Sequence, residues 1–94
     1  MGENQFLIIP YCIYSNNNIS SNAKLLYGLL SLLSHKEGFC YATNKFLGAE
    51  LNVSSRTITT LIKELKDENI IDVVNDKNYI RKIYLKIGSI EENF

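Results

Sequence analysis

The chain has 94 residues, 46% of them hydrophobic, with ten basic and ten acidic side chains and no formal net charge. That length suits one domain near the low end of what can bury a self-sufficient core. No stretch approaches the roughly 20 apolar residues that span a bilayer, and no basic region precedes the apolar N-terminal run, so a cytoplasmic protein without membrane association is expected. Cys12 and Cys40 are far apart and His35 is the only histidine, which leaves no metal-ligand spacing and no disulfide framework. No metal and no cofactor is expected, and the cysteines read as small hydrophobes.

Phe6 to Ile9 is a short apolar run stopped by Pro10, and Tyr11 to Tyr14 can continue extended before the Ser15-Asn16-Asn17-Asn18 loop. This segment reads as an N-terminal strand or arm. Ser20 or Ser21 then caps a first helix, in which Ala23, Leu26, Leu30 and Leu33 follow the 3.6-residue period and Tyr27 and Leu29 widen the apolar stripe. Gly38 ends the connection after it. Phe39 to Ala42 lead, as a short extended segment, into the next helix.

Thr43 to Lys66 is the most informative block. Thr43 and Ser54 each stand just ahead of an apolar-periodic run, where a side-chain oxygen can accept an otherwise unpaired backbone N–H. Leu47 and Leu51 give the second helix an apolar stripe, with Ala49 expected as its small packing residue. Asn52 tolerates a left-handed turn and Val53 can plug the corner. In the third helix Ile58, Leu61, Ile62 and Leu65 share one face, leaving Ser55, Arg56, Thr59, Thr60 and Lys63 on or near the other. Two short amphipathic helices joined by a tight turn resemble a helix-turn-helix.

After Asn69, a C-cap candidate, Ile70 to Val74 is a β-branched run, Asn75 to Asn78 is a hairpin turn signal, and Tyr79 to Ile87 is the return strand. Alternation places Ile71, Val73, Ile83 and Leu85 against the helices and Lys82, Tyr84 and Lys86 outward. Residues 73 to 86 carry Lys77, Arg81, Lys82 and Lys86 against Asp76 alone, whereas acids gather at Glu64, Asp67, Glu68, Glu91 and Glu92. The positive field is local.

The expected fold class is therefore α+β, a winged helix-turn-helix with an N-terminal strand or arm, three helices and a C-terminal β-hairpin wing. One domain over 1–94 is expected, with flexible ends at 1–5 and 88–94. The phrases IIPYCIY, AKLLYG, CYATN, SSRTIT and IIDVVNDKNYIRKIYL, within residues 6 to 87, resemble the small winged-helix domains of Gram-positive plasmids and phages. That group includes N-terminal domains of replication initiators and stand-alone conjugation accessory proteins. A stand-alone chain of this length favours the accessory or regulatory members. The resemblance implies double-stranded DNA as partner, with other plasmid DNA-processing proteins alongside.

In the usual winged-helix arrangement the third helix enters the major groove and the hairpin reaches the minor groove or backbone. The candidate contacts from the helix-turn-helix are Lys45, Ser54, Ser55, Arg56, Thr57, Thr59 and Lys63, and from the wing Lys77, Asn78, Tyr79, Arg81 and Lys82. Each has a plainer reading beside it: Ser and Thr also cap and solvate a helix, and Lys also protects a strand edge. The wing is expected to contribute at least as much as the third helix. Tyr27, Tyr41 and Tyr79 read as core or boundary aromatics rather than stacking platforms. The apolar FLIIPYCIY segment exceeds what one helix face needs, and so a homodimer is expected. The sole histidine lacks a partnered nucleophile, no phosphate-binding glycine motif occurs, and an enzyme is not expected. A protein-binding winged helix is the rival reading, because fold alone does not settle function.

Overall fold

The structure, a computed structural model, describes residues 5–86. Its elements in order are α1 (Tyr11–Tyr14), α2 (Ser21–Ser34), α3 (Asn44–Leu51), α4 (Ser55–Asp67), β1 (Ile71–Asn75) and β2 (Arg81–Leu85). The expected flexible ends lie outside the described residues except at Gln5. The three helices read from the sequence are α2, α3 and α4, and the two strands form the hairpin. This is an α+β winged helix.

Each long helix begins where a hydroxyl can accept an unpaired N–H: Ser20 from Ala23 N, Thr43 from Phe46 N and Ser54 from Thr57 N. α3 ends at Asn52, which adopts the left-handed conformation (φ 59°, ψ 43°) and turns the chain into α4. Ala49, expected as the small packing residue of this motif, is exposed; Gly48 is buried instead. A Cβ on Gly48 would lie 2.6 Å from the Val53 carbonyl oxygen. The Val53 N–H donates to Gly48 O at 2.9 Å, so the turn closes directly over the glycine.

The N-terminal segment departs from the extended reading. Residues 5–10 form an arm without strand pairing, and Tyr11–Tyr14 make a helical turn in which Ile13 N and Tyr14 N donate to Pro10 O. Pro10 is already set for a helix start, and Ser15 Oγ closes the turn by donating to Tyr11 O at 2.8 Å. Ile13 is thereby driven into the core. The arm crosses α2 at Gly28, where an added Cβ would meet Ile9 at 3.1 Å and Leu7 at 3.3 Å.

The core joins Leu26, Tyr27 and Leu30 of α2, Leu47 of α3, Ile58, Leu61 and Leu65 of α4, and Ile71 and Ile83 of the hairpin. β1 and β2 pair antiparallel with Val73 opposite Ile83, and Ile71 and Ile83 point inward as the alternation requires. Cys40 adds a bridge on the outer side of β2: its N–H donates to Ile83 O at 2.9 Å and the Ile83 N–H returns to Cys40 O at 2.8 Å. The extended segment before α3 is therefore a rudimentary third strand.

The acidic C-terminal part of α4 serves the fold. Glu64 accepts from the Ser20 N–H at 2.8 Å and from Ser20 Oγ at 3.1 Å, and Glu68 accepts from Asn18 Nδ2 at 3.2 Å. These carboxylates clamp the loop preceding α2 onto α4. Their partners lie too far away in sequence to be read from local pattern.

Candidate nucleic-acid interface

Three neighbouring features form the site: the opening turns of α4, the start of α3, and the wing. Within α4, Ser54 and Thr57 are occupied by the cap, since Ser54 Oγ accepts from Thr57 N and donates to Thr57 Oγ1, both at 3.0 Å. Thr59 Oγ1 donates to Ser55 O at 3.3 Å and Thr60 Oγ1 to Arg56 O at 3.5 Å. Lys63 pairs with Asp67 at 2.8 Å one turn on; both are well exposed, and the hydrogen bond to Asp67 raises the lysine pKa. The side chains of Ser55 and Arg56 are exposed and have no protein partner among the described residues. Lys45, in the first turn of α3, is likewise exposed.

The hairpin loop is longer than the return-strand reading implies, because β2 starts at Arg81 and not at Tyr79, leaving residues 76–80 as the loop. Tyr79 N donates to Asp76 O at 2.9 Å and Asp76 N to Ile80 O at 3.0 Å, which makes Lys77 and Asn78 the centre of a turn and Tyr79 a left-handed bulge residue at φ 62°. Glycine usually occupies such a position. Here a tyrosine does, and it is 90% exposed. Asp76 organises the loop, its Oδ1 accepting from Asn78 N at 2.8 Å and Ile80 N at 3.0 Å. The Ile80 N–H, followed by the Asn78 N–H and the Lys82 charge, holds the Asp76 carboxyl below the usual carboxylate range.

The wing cations meet different fates. Lys77 is exposed at the tip and has no partner among the described residues. Lys82 lies 3.9 Å from Asp76 and 4.7 Å from the centroid of the Phe39 ring. Lys86 donates to Asn69 Oδ1. Arg81 does not point from the tip; it begins β2, and its fork turns back onto the start of α3, donating from Nη1 to Asn44 Oδ1 at 2.6 Å and from Nη2 to Ala42 O at 2.7 Å. Burial lowers its pKa, opposed by Cys40, but a guanidinium stays charged at any physiological pH. Burial in turn raises the Cys40 pKa, against a hydrogen bond with the Ala42 backbone and the Arg81 charge, so the thiol stays protonated.

Asn44 was not among the residues singled out from the sequence. Its Nδ2 donates to Thr59 Oγ1 at 3.0 Å, so it touches both the wing and the polar face of α4. A cleft of about 440 Å³ opens beside it, lined by Tyr41, Ala42, Thr43, Asn44, Tyr79, Ile80 and Arg81. Of the three tyrosines read as core or boundary, only Tyr27 is buried; Tyr41 and Tyr79 border this cleft.

Residues 17–71 match the model of a helix-turn-helix domain family. The chain belongs to that family. The matched span runs from the loop before α2 through all three long helices to the first residue of β1, so the helix-turn-helix lies wholly within it and the wing largely follows it. Among solved structures, the N-terminal domain of a DNA-binding protein superposes with a TM-score of 0.70 at 18% identity, covering 96% of this chain and 86% of that one. A structure described as an MDR initiator superposes with a TM-score of 0.65 at 23% identity, covering 87% of this chain and 76% of that one. At these identities the likeness shows a common fold. No curated protein sequence matches this one. No helix among the described residues is long and apolar enough to cross a membrane.

Proposed function

We propose that this protein binds double-stranded DNA sequence-specifically, as a plasmid-encoded accessory factor acting at an origin of transfer in conjugation. The observation that carries DNA binding is the contact of Asn44 with both Arg81 and Thr59, which sets the wing beside the polar face of α4. The free side chains then fall into two groups that one duplex can meet, Ser55 and Arg56 on α4 and Lys77, Asn78 and Tyr79 at the tip. Ser55 and Arg56 suit a major groove, where Arg favours guanine, and Lys77 and Asn78 suit adjacent phosphates or the minor groove. Lys45 adds a phosphate contact from α3. Membership of a helix-turn-helix family supports this reading, as do the described functions of the structural neighbours.

The conjugation role rests on the resemblance of the sequence phrases to plasmid and phage winged helices, a group that includes the conjugation accessory protein TcpK. The protein works in the cytoplasm, alongside other plasmid DNA-processing proteins, without catalysis of its own. It acts as a homodimer. No charged side chain occurs from Gln5 to Ala23, and Phe6 and Ile8 are 76% and 75% exposed beside a groove of about 240 Å³ shared with Ser31, Leu32 and His35. A charge-free apolar arm is compatible with a second copy of itself and unsuited to DNA. Two copies double the number of free cations, which answers the zero net charge of one chain.

Selection of bound duplexes from a random pool at moderate salt, with the enriched site mapped onto the source replicon, tests this reading. A motif repeated at a transfer origin supports it. One at a promoter or replication origin makes the protein a transcriptional or replication regulator, and no retention of any duplex makes it a protein-binding winged helix.

A further inference from the structure

Arg81 is conspicuous in the sequence as a wing cation, yet its guanidinium is engaged within the protein. Nη1 and Nη2 hold Asn44 Oδ1 at 2.6 Å and Ala42 O at 2.7 Å, a forked grip that one ammonium does not reproduce. Arginine can only donate, so the Asn44 carboxamide must turn its oxygen toward Arg81 and its nitrogen the other way. That nitrogen meets Thr59 Oγ1 at 3.0 Å, and the Thr59 hydroxyl donates onward to Ser55 O at 3.3 Å. The chain of bonds runs from the base of the wing, across the first residue of α3, to the opening turns of α4.

Its place in the hairpin gives it leverage. Ile71 and Ile83 anchor the hairpin base in the core, and Cys40 bridges Ile83. Toward the tip, Val74 is 45% exposed and Asn75, opposite Arg81, is exposed as well. Among the described residues, every hydrogen bond of the 76–80 loop stays within the loop. Arg81 is therefore the last hydrogen-bonded tie between hairpin and helices before the tip.

We propose that Arg81 is a positioning residue: through Asn44 it fixes the wing against the opening turns of α4, so that tip and helix meet DNA at one set separation. The inference rests on the DNA-binding reading above. Arg81 itself spends its two terminal nitrogens inside the protein, and Thr59 orients rather than reads. Sequence discrimination requires both contact groups to land on the duplex together, while non-specific attraction needs only their charge. Loosening the tie should cost specific binding more than non-specific binding.

The test uses the full chain with Arg81→Lys, Asn44→Ala, their combination, Thr59→Val and Thr59→Ser. Affinity is measured for an enriched duplex and for an unrelated one, and backbone NMR order of residues 76–80 is measured in the free protein, with thermal melts to show that each variant is folded. Arg81→Lys and Asn44→Ala should each weaken the enriched duplex about tenfold, leave the unrelated one within about twofold, and raise the mobility of the tip. The double variant should be no worse than either single one, because both break one connection. Thr59→Ser should keep wild-type behaviour and Thr59→Val should lose it. Wild-type affinity in Arg81→Lys would show that the charge alone matters and overturn the proposal, as would a tip equally ordered in all variants. If the wild type retains no duplex, the DNA-binding reading fails and takes the binding role of this tie with it; a tip that is equally ordered in the free wild type and variants, while the wild type does bind an enriched duplex, is the separate failure of this proposal.

Discussion

The carbonyl oxygen of Val53 stands 2.6 Å from where a Cβ on Gly48 would be placed, in the closed turn between α3 and α4. Real Cβ atoms do not approach a backbone oxygen so closely. Replacing Gly48 by Ala must push the two helices apart, and the obstacle is backbone rather than a side chain that can swing aside. A loss of about 1–3 kcal/mol is expected, read as a lowered urea midpoint with little change in slope. An unchanged midpoint would show that the turn can open without cost.

Tyr79 is a large aromatic held at φ 62° on the exposed tip of the wing. Such strain is retained where function benefits from it. Asn tolerates this conformation better, so Tyr79→Asn should stabilise the fold by about 0.5–1 kcal/mol while weakening duplex binding several-fold. Greater stability with undiminished binding would remove Tyr79 from the interface.

The wing lysines should not be equivalent. Lys77 has no partner among the described residues, whereas Lys82 is shared with Asp76 and the Phe39 ring. Lys77→Ala should lower the slope of log affinity against log salt by about 0.9 for one phosphate contact, and Lys82→Ala by less. Equal slopes for the two variants would mean that the intramolecular partners of Lys82 yield to DNA.

How far the site was legible in the sequence depended on the range of each interaction. The caps at Ser20, Thr43 and Ser54 act within three residues, and Asn52 within its own backbone, so local pattern revealed them. Hairpin alternation likewise placed Ile71 and Ile83 correctly, because strand period alone decides it. Arg81 and Asn44 are separated by 37 residues and Ser20 and Glu64 by 44, and no local period marks either pair. Sequence therefore counted Arg81 as a free wing cation and registered Glu64 and Glu68 only as part of an acidic cluster. Tyr79 was assigned to a strand because aromatic residues favour strands and seldom adopt positive φ. Pro10, read as a stop, starts a helical turn because Ile13 can be buried behind it.

The tip should respond to acid through Asp76. Its folded pKa lies below the unfolded value, so its contribution to loop order is fully present above the unfolded carboxylate pKa and disappears as pH falls through the folded one. Amide shifts of Asn78 and Ile80 should titrate together with a midpoint below that of an unperturbed aspartate, and Asp76→Ala should show the acid-form shifts at neutral pH. Shifts that remain constant through that range would contradict the loop-organising role.

Self-association should depend on the arm. Replacing Phe6 and Ile8 by Ser removes exposed apolar surface and no core contact, so the variant should remain folded while its sedimentation mass falls to that of one chain. A wild type that sediments as a monomer at tens of micromolar would contradict the dimer.

Titration of a duplex carrying an enriched site with the wild type and with Arg56→Ala/Lys77→Ala, at several salt concentrations, tests the central claim most directly. Wild-type affinity should fall linearly on the logarithmic salt scale, and the double variant should bind more weakly with a slope shallower by about two phosphate contacts. Salt-independent retention, or identical curves for the two proteins, would contradict the account of α4 and the wing tip as a DNA-binding surface.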